Sequence, residues 1–424
     1  MDTTPFAAAL RAVAAPLEFA AASDFARADR VRDFEATVRA AAERAAALAV
    51  PPEARGLLEA VRARFAEPFA DSAARSKAIA DSLRDLAPLR DAGYADRAIA
   101  RAVATLPGVG AKRAQRLAQR GLRTISDLLF HLPTRYDDRR DPKTIGALQV
   151  GERGTFVGEV ILADFVPIRG RARIYQAVLG DGTGTLNLKW FRGAEAVAGS
   201  VKKGVRLRVT GEVKRYRFDK EVMHPEIDVL GDGDEGAGEA VVPEYATPEG
   251  VPTRTFRRLI AAAVTEYADL VPSTLPDKLA AERGLPPTAG ALRAIHTPDA
   301  DADPEALRAR TTPAHERLVL EELYLLEVGL ALRHAERAQK AGIAVASDGA
   351  RLRAAQAALP FTLTRAQQRA WSEIARDLAR PHPMSRLLQG DVGSGKTAVA
   401  ALAAVAVAEA SAQTALMAPT EIYT

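Results

Sequence analysis

The sequence predicts a multidomain chain of α+β and α/β class: an N-terminal helical bundle, a small β-barrel, a helical linker and the beginning of a phosphate-loop domain. Three observations carry that reading. Residues 1–100 repeat apolar positions at three- and four-residue spacing, residues 150–230 alternate with period two, and residues 390–397 spell a glycine-rich loop ahead of an alanine-rich helix. The expected divisions are 1–100, 101–148, 149–240, 241–355 and 356–424.

Composition narrows the function classes. A chain of 424 residues with 48% hydrophobic and 26% charged content is ordinary for a folded globular protein. It has no cysteine, so disulfides and thiolate metal sites are excluded, as suits a reducing cytoplasm. Asp2 stands where a secretion signal would carry positive charge, and the longest apolar run, Ala398 to Ala408, is half of a membrane span. Neither secretion nor membrane insertion is expected. The formal charge of +4 points only weakly to an anionic partner, but its distribution is uneven. Residues 201–220 hold eight cations against Glu212 and Asp219, a net +6 that exceeds the charge of the whole chain.

The first hundred residues are rich in Ala, Arg, Glu, Asp and Leu and carry no catalytic constellation, so packing is their expected role. In residues 106–139, Gly108 and Gly110 bracket a tight turn before a basic helix with Lys112, Arg113, Arg116 and Arg120. The pattern resembles a helix-hairpin-helix, whose glycine turn brings backbone N–H groups to a DNA phosphate. It equally fits a plain helical hairpin with a solvated face.

Residues 149–240 read as five half-buried strands separated by glycine turns, which fits a barrel of the OB-fold type. "GTLNLKWF" places Leu186, Leu188 and Trp190 inward, with Lys189 and Phe191 outward; "VRLRVTGEV" places Val205, Leu207 and Val209 inward, with Arg206 and Arg208 outward. Arg192 follows Phe191, and Lys214, Arg215, Tyr216, Arg217 and Phe218 end one strand. Aromatics interleaved with cations suit base stacking and phosphate tracking. The competing reading makes the aromatics core and the arginines solubilising. The acidic, glycine-rich 231–240 reads as a linker or exposed loop, and a long helix is expected from His315 to about Lys340.

The chemistry sits at Gly390, Gly395, Lys396 and Thr397, which fit G-x-x-x-x-G-K-[ST]. "MSRLLQ" before the loop and "TALMAPT" at 414–420 read as strands, and Ala398 onward as helix, so the loop has the setting its mechanism requires. Across Gly390, Asp391, Val392, Gly393, Ser394 and Gly395 the backbone folds so that its N–H groups meet phosphates. Lys396 offsets their charge, Thr397 offers its hydroxyl to Mg²⁺, and the helix adds its positive end. Hydrolysis also needs an acidic strand and an arginine beyond Thr397. Without them, the polypeptide as given is expected to bind nucleotide but to be nearly inert as an ATPase.

Together, "LPFTLTRAQQRAWSEIARDL", "MSRLLQGDVGSGKTAVAALAA" and "ALMAPTEI" resemble the Q-motif region, motif I and motif Ia of the RecG branch-migrating DNA helicases of superfamily 2. "LPGVGAKRAQRLAQRGLRTISDLLFHLPTRYDDRR", "VMHPEI", "ALRAIHTP" and "ERLVLEELYLLE" resemble that family's wedge and linking segments, so the likeness runs from about residue 100 to the last. It implies the N-terminal portion of an ATP-dependent helicase with a RecA-like motor. Gln367 would read adenine, Gly390 to Thr397 would bind ATP with Mg²⁺, and Phe191 would be a wedge aromatic. A second wedge aromatic of some members has no counterpart in "RGAEAVAGSVKKG". The implied partners are branched double-stranded DNA and single-strand-binding protein, and the implied state is a cytoplasmic, nucleoid-associated monomer active in recombination and repair. Two alternatives stand beside it: a branched-DNA-binding module with a vestigial phosphate loop, and a phosphate-loop kinase or GTPase with a basic accessory barrel. "LTRAQQRA" and "MAPTEI" suit helicases better.

Overall fold

A computed structural model describes residues 4–22, 28, 31, 33–140, 142–167, 173–217, 219–231 and 241–417. The chain divides into two units, Met1–Glu321 and Glu322–Thr424. Phe218 and residues 232–240 of the expected linker lie outside the described residues, as do residues 418–420 of the last expected strand. Among the described residues no helix is long and apolar enough to cross a membrane.

The first unit opens with α1 (Pro5–Ala21), α2 (Phe34–Ala46), α3 (Pro52–Arg64), α4 (Ser72–Leu86) and α5 (Tyr94–Ile99). Thr4 starts α1 by accepting the Ala7 N–H at 3.0 Å, and Asp71 starts α4 through Ala74 at 2.7 Å; each satisfies a donor the helix leaves open. Phe6, Leu10, Val13 and Leu17 form the buried stripe of α1, at the spacing that puts side chains on one helical face. Their core continues into α9 (Thr253–Tyr267) and α11 (Thr288–His296) through Phe256, Ile260, Val264 and Leu292. Asp269 fastens the two parts: its buried carboxylate accepts the Ala49 N–H at 2.7 Å and pairs with Arg293. The expected division at 100 therefore falls inside one hydrophobic core, whereas the barrel that follows has a core of its own.

The Gly108 turn has φ of +82°, and α6 (Ala111–Ala118) follows Gly110. Arg113 donates to the Gly108 carbonyl and Arg116 to that of Gly250, while Lys112 and Arg120 are exposed. Half of the basic helix thus serves local structure. Next come α7 (Ile125–Leu129) and β1 (Arg135–Asp138).

The barrel is built from β2 (Arg153–Pro167), β3 (Arg173–Gly180), β4 (Thr185–Trp190), β5 (Arg206–Tyr216) and β6 (Asp219–Met223), with α8 (Ala194–Ala198) between β4 and β5. Its order is β2-β3-β4-β6-β5, closed by pairing β2 with β5, and β4 runs parallel to β6. That is the Greek-key closure of an OB-fold. Leu186, Leu188, Trp190, Leu207 and Val209 are buried inside it, as the alternation requires. "EVMHPEIDVL", residues 221–230 and the last of the five strands expected from the sequence, forms two: β6 ends before His224 (φ +49°) and Pro225, and β7 (Glu226–Val229) pairs with β5 outside the barrel. Proline cannot donate to a ladder and His224 turns the chain, so the pairing changes partner there. A second, two-stranded sheet joins β1 to β8 (Val241–Glu244).

After α10 (Asp277–Glu282) and α12 (Pro304–Ala309), α13 (Pro313–Ala338) fulfils the long-helix expectation and runs across the unit boundary. In the second unit α14 (Ala350–Ala357), α15 (Arg365–Leu378) and α16 (Lys396–Glu409) pack around Leu352, Trp371, Ile374, Val399 and Leu402. The strand expected at "MSRLLQ" does not form, nor does one at residues 414–417; both stretches are irregular, and Leu387 is 88% exposed. A strand exists through its neighbours' hydrogen bonds, and among the described residues of this unit no extended segment pairs with either stretch.

His296, at the end of α11, is buried and neutral. Its Nε2 donates to the Leu129 carbonyl at 2.8 Å and its Nδ1 accepts from the Tyr245 hydroxyl at 3.0 Å. Burial lowers its pKa to about 4. An imidazole with a depressed folded pKa contributes stability that is complete above its unfolded value of about 6.5 and is lost as pH falls towards the folded value. Urea unfolding of the wild type should therefore lose about 3 kcal/mol more than His296→Gln between those two limits. Parallel pH profiles for the two proteins would refute the assignment.

Candidate nucleic-acid interface and phosphate loop

The neighbouring ends of β4 and β6 build an exposed aromatic edge on the barrel. Trp190 points inward, so the pleat turns Phe191 out, and its ring is 46% exposed. His224 holds it from behind: the rings lie 5.8 Å apart, and the Phe191 N–H donates to His224 Nε2 at 3.3 Å. Partial burial, helped by the Arg192 charge, lowers the His224 pKa, which keeps that acceptor available near neutrality. Tyr216, half exposed at the end of β5, carries Lys189 4.5 Å and Arg217 5.6 Å from its ring centre. Both distances suit cation–π attraction. Met223, exposed and in register with Lys189, extends the edge. Arg192, Arg206, Lys214 and Arg215 are exposed on the barrel.

Two of the expected outward cations differ. Lys189 is mostly buried and bonded to Glu221, so its charge is largely neutralised in place. Arg208 is only 5% exposed. The alternation put it on the correct side of β5, but that side is covered: Thr155 and Thr210, on the same outer face of β2 and β5, bond to each other at 2.9 Å and are buried too. Arg208 therefore lines a cleft against α9 rather than the barrel surface. His224, Glu221 and Met223 were missed as contributors to the edge. The His-Pro step after "EVM" was the available signal for a strand end that presents its neighbours.

In the second unit the phosphate loop has the backbone its glycines permit. Gly393 and Gly395 take φ of +82° and +79°, and Gly395 is the N-cap of α16. Lys396 turns back on the loop, with its Nζ donating to the carbonyls of Gly390 at 2.7 Å and Asp391 at 2.8 Å. Asp391, Val392 and Ser394 are exposed, and so is Thr397 one residue into the helix. Gln367 is brought onto this loop. Its Nε2 donates to the Ser394 carbonyl at 2.9 Å, while its Oε1 accepts the Thr364 N–H at 2.8 Å, completing the capping box of α15. Adenine recognition by this amide would require it to release both partners. Among the described residues no group of three or more His, Asp or Glu side chains is placed to hold a metal ion.

Comparison with known proteins places this geometry. Residues 103–267 match the RecG wedge domain, which contains the barrel. The ATP-dependent DNA helicase RecG of Escherichia coli strain K12 is 40% identical over 324 residues, covering 76% of this chain and 46% of that protein. RecG of Bacillus subtilis strain 168 is 35% identical over 327 residues, covering 76% and 45%. A solved structure of RecG bound to a three-way DNA junction superposes with a TM-score of 0.56 at 29% identity, covering 84% of this chain and 48% of that one. The chain thus spans about half the length of the curated relatives it matches.

The loop makes a differential prediction. A Cβ on Gly393 meets open space, whereas a Cβ on Gly395 comes within 2.3 Å of Gln367 Nε2. Gly393→Ala should destabilise this unit by about 1–2 kcal/mol through its positive φ alone, and Gly395→Ala by more. The excess should vanish in a Gln367→Ala background; a cycle with no coupling would contradict the contact.

Proposed function

We propose, for a chain that carries the RecG wedge domain and aligns with RecG over three quarters of its length, that it is a RecG-family polypeptide whose barrel engages the branch point of forked or junction DNA. In the full-length protein an ATP-driven motor would push duplex into that barrel, regressing forks and moving Holliday junctions. The observation that carries the reading is the exposed Phe191 on an OB-fold, inside the matched domain and braced by His224. A rigid aromatic at a barrel edge can stack on the base pair that terminates at a fork, where a continuous duplex offers no open face. Arg192, Arg206, Lys214 and Arg215, exposed on the same barrel, supply positive charge for backbone phosphates. Arg208 and Lys189 are not part of that outer charge: one is buried, the other neutralised by Glu221.

ATP with Mg²⁺ fits the loop of the second unit. Gly395 caps the positive end of α16, and Lys396 rests on two loop carbonyls that a phosphate would replace. Thr397 would give its hydroxyl to Mg²⁺. Bound ATP supplies the free energy of phosphoryl transfer to water. The residues of this chain bind and orient it, and hydrolysis by the polypeptide alone is expected to be negligible. Single-strand-binding protein as a partner, a monomeric state and a nucleoid location belong to the same proposal.

Two measurements test it. Fork affinity should exceed that for duplex of equal length, and Phe191→Ala should remove about tenfold of that preference while leaving the salt dependence unchanged, because stacking and counterion release are separate contributions. Equal affinity for fork and duplex would end the branch-point reading. Lys396→Ala should weaken Mg·ATP binding at least about tenfold without touching fork affinity; unchanged nucleotide binding would remove the loop from the proposal.

A further inference from the structure

We infer that the cleft between the barrel and α9 is a phosphate-binding site, separate from the aromatic edge. Its cavity of about 430 Å³ is lined by five arginines and only two carboxylates, Glu226 and Asp228. The carboxylates are already committed. Glu226 lies 2.6 Å from Arg139 and 3.0 Å from Arg257, and Asp228 lies 3.3 Å from Arg254 and 3.7 Å from Arg139. Arg257 turns also to Glu244. For Arg208 and Arg258 no carboxylate remains among the described residues.

Arg208 is the decisive member. It is buried, and its Nε donor is buried with no acceptor. The Nε of Arg139, also buried, has none either. A mostly buried guanidinium with a donor left unpaired is unfavourable, so a fold that keeps one on the wall of a cleft leaves a place for an anion. Helix α9 repeats the argument. Arg254, Arg257, Arg258 and Ala261 line the cleft at the i, i+3, i+4, i+7 positions of one helical face. They occupy the first turns of a helix with no acidic residue in its first turn and no capping side chain. Cations at the positive end of a helix oppose its dipole, and an anion seated between them reverses that sign. Guanidinium forks match the oxygens of a tetrahedral phosphate, and with Glu244 counted against Arg257 an excess of two positive charges remains, which suits a dianion better than a single carboxylate.

The inference stands on these residues whether or not the barrel reads forks. Its test is a titration of the whole chain with inorganic phosphate at constant ionic strength, following thermal unfolding and binding heat. The expected result is a saturable stabilisation that Arg208→Met weakens about tenfold or more and Arg258→Ala, at an exposed position that leaves folding intact, weakens several-fold. Arg208→Met itself should be no less stable than wild type without phosphate, because an apolar side chain replaces an unpaired buried charge. A stabilisation that never saturates and is equal in all three proteins would be general salting-out and would overturn the site, as would no response to phosphate. Repeating the titration with bound forked DNA identifies the source within the supported outcome. If phosphate displaces DNA from the wild type more than from Arg208→Met, the ligand is a backbone phosphodiester; if displacement is equal, it is a free phosphate compound.

Discussion

Closing β2 onto β5 is the constraint from which the rest of the first unit's surface follows. A closed barrel assigns every strand residue to an inside or an outside, and the parallel β4–β6 pair sets which strand ends meet. Once Trp190 is committed to the core with Tyr175 and Leu188, Phe191 has nowhere to go but out. The same closure brings His224, just past the end of β6, against it. The aromatic edge needs no special loop; it is what remains where strands stop.

Closure also explains why charge counting overstates the free positive surface. Of the basic stretch 201–220, Arg208 is buried, Lys214 lies 3.8 Å from Glu212, and Lys220 donates to the Gly146 carbonyl at 3.2 Å. The outer face of an OB-type barrel is not uniformly wet, because β7 and α9 pack against part of it. Cations on the wet part are available to a polyanion. Those on the covered part must find partners inside, and Arg208 finds none among the described residues.

How much was legible follows from the range of each signal. Period-two alternation over β4 and β5 identified the buried residues correctly, since the pleat is local. It could not say that a helix starting 45 residues downstream, at Thr253, covers Arg208, because coverage is a tertiary fact. The helices α13 and α16 were legible from composition and loop chemistry, whereas "MSRLLQ" has the residues of a strand without the neighbours that make one. Gln367 shows a third case. Its place after Thr364 reads equally as a capping box and as a nucleotide-reading motif, and the structure uses the first while laying the amide on the phosphate loop. The shared core of α1–α5 with α9 and α11 was hidden because amphipathic helices announce that they pack, not against what.

The central claim is that the barrel's aromatic edge stacks on the open face at a DNA branch. A fluorescent base analogue, 2-aminopurine, placed at the branch of a fork reports stacking directly. Binding of this chain should change its emission markedly at the branch position and leave an analogue ten base pairs into either arm unchanged. Equal changes at both positions, or none at the branch under saturating protein, would mean that the barrel holds the backbone and does not touch the bases, and the account would fall.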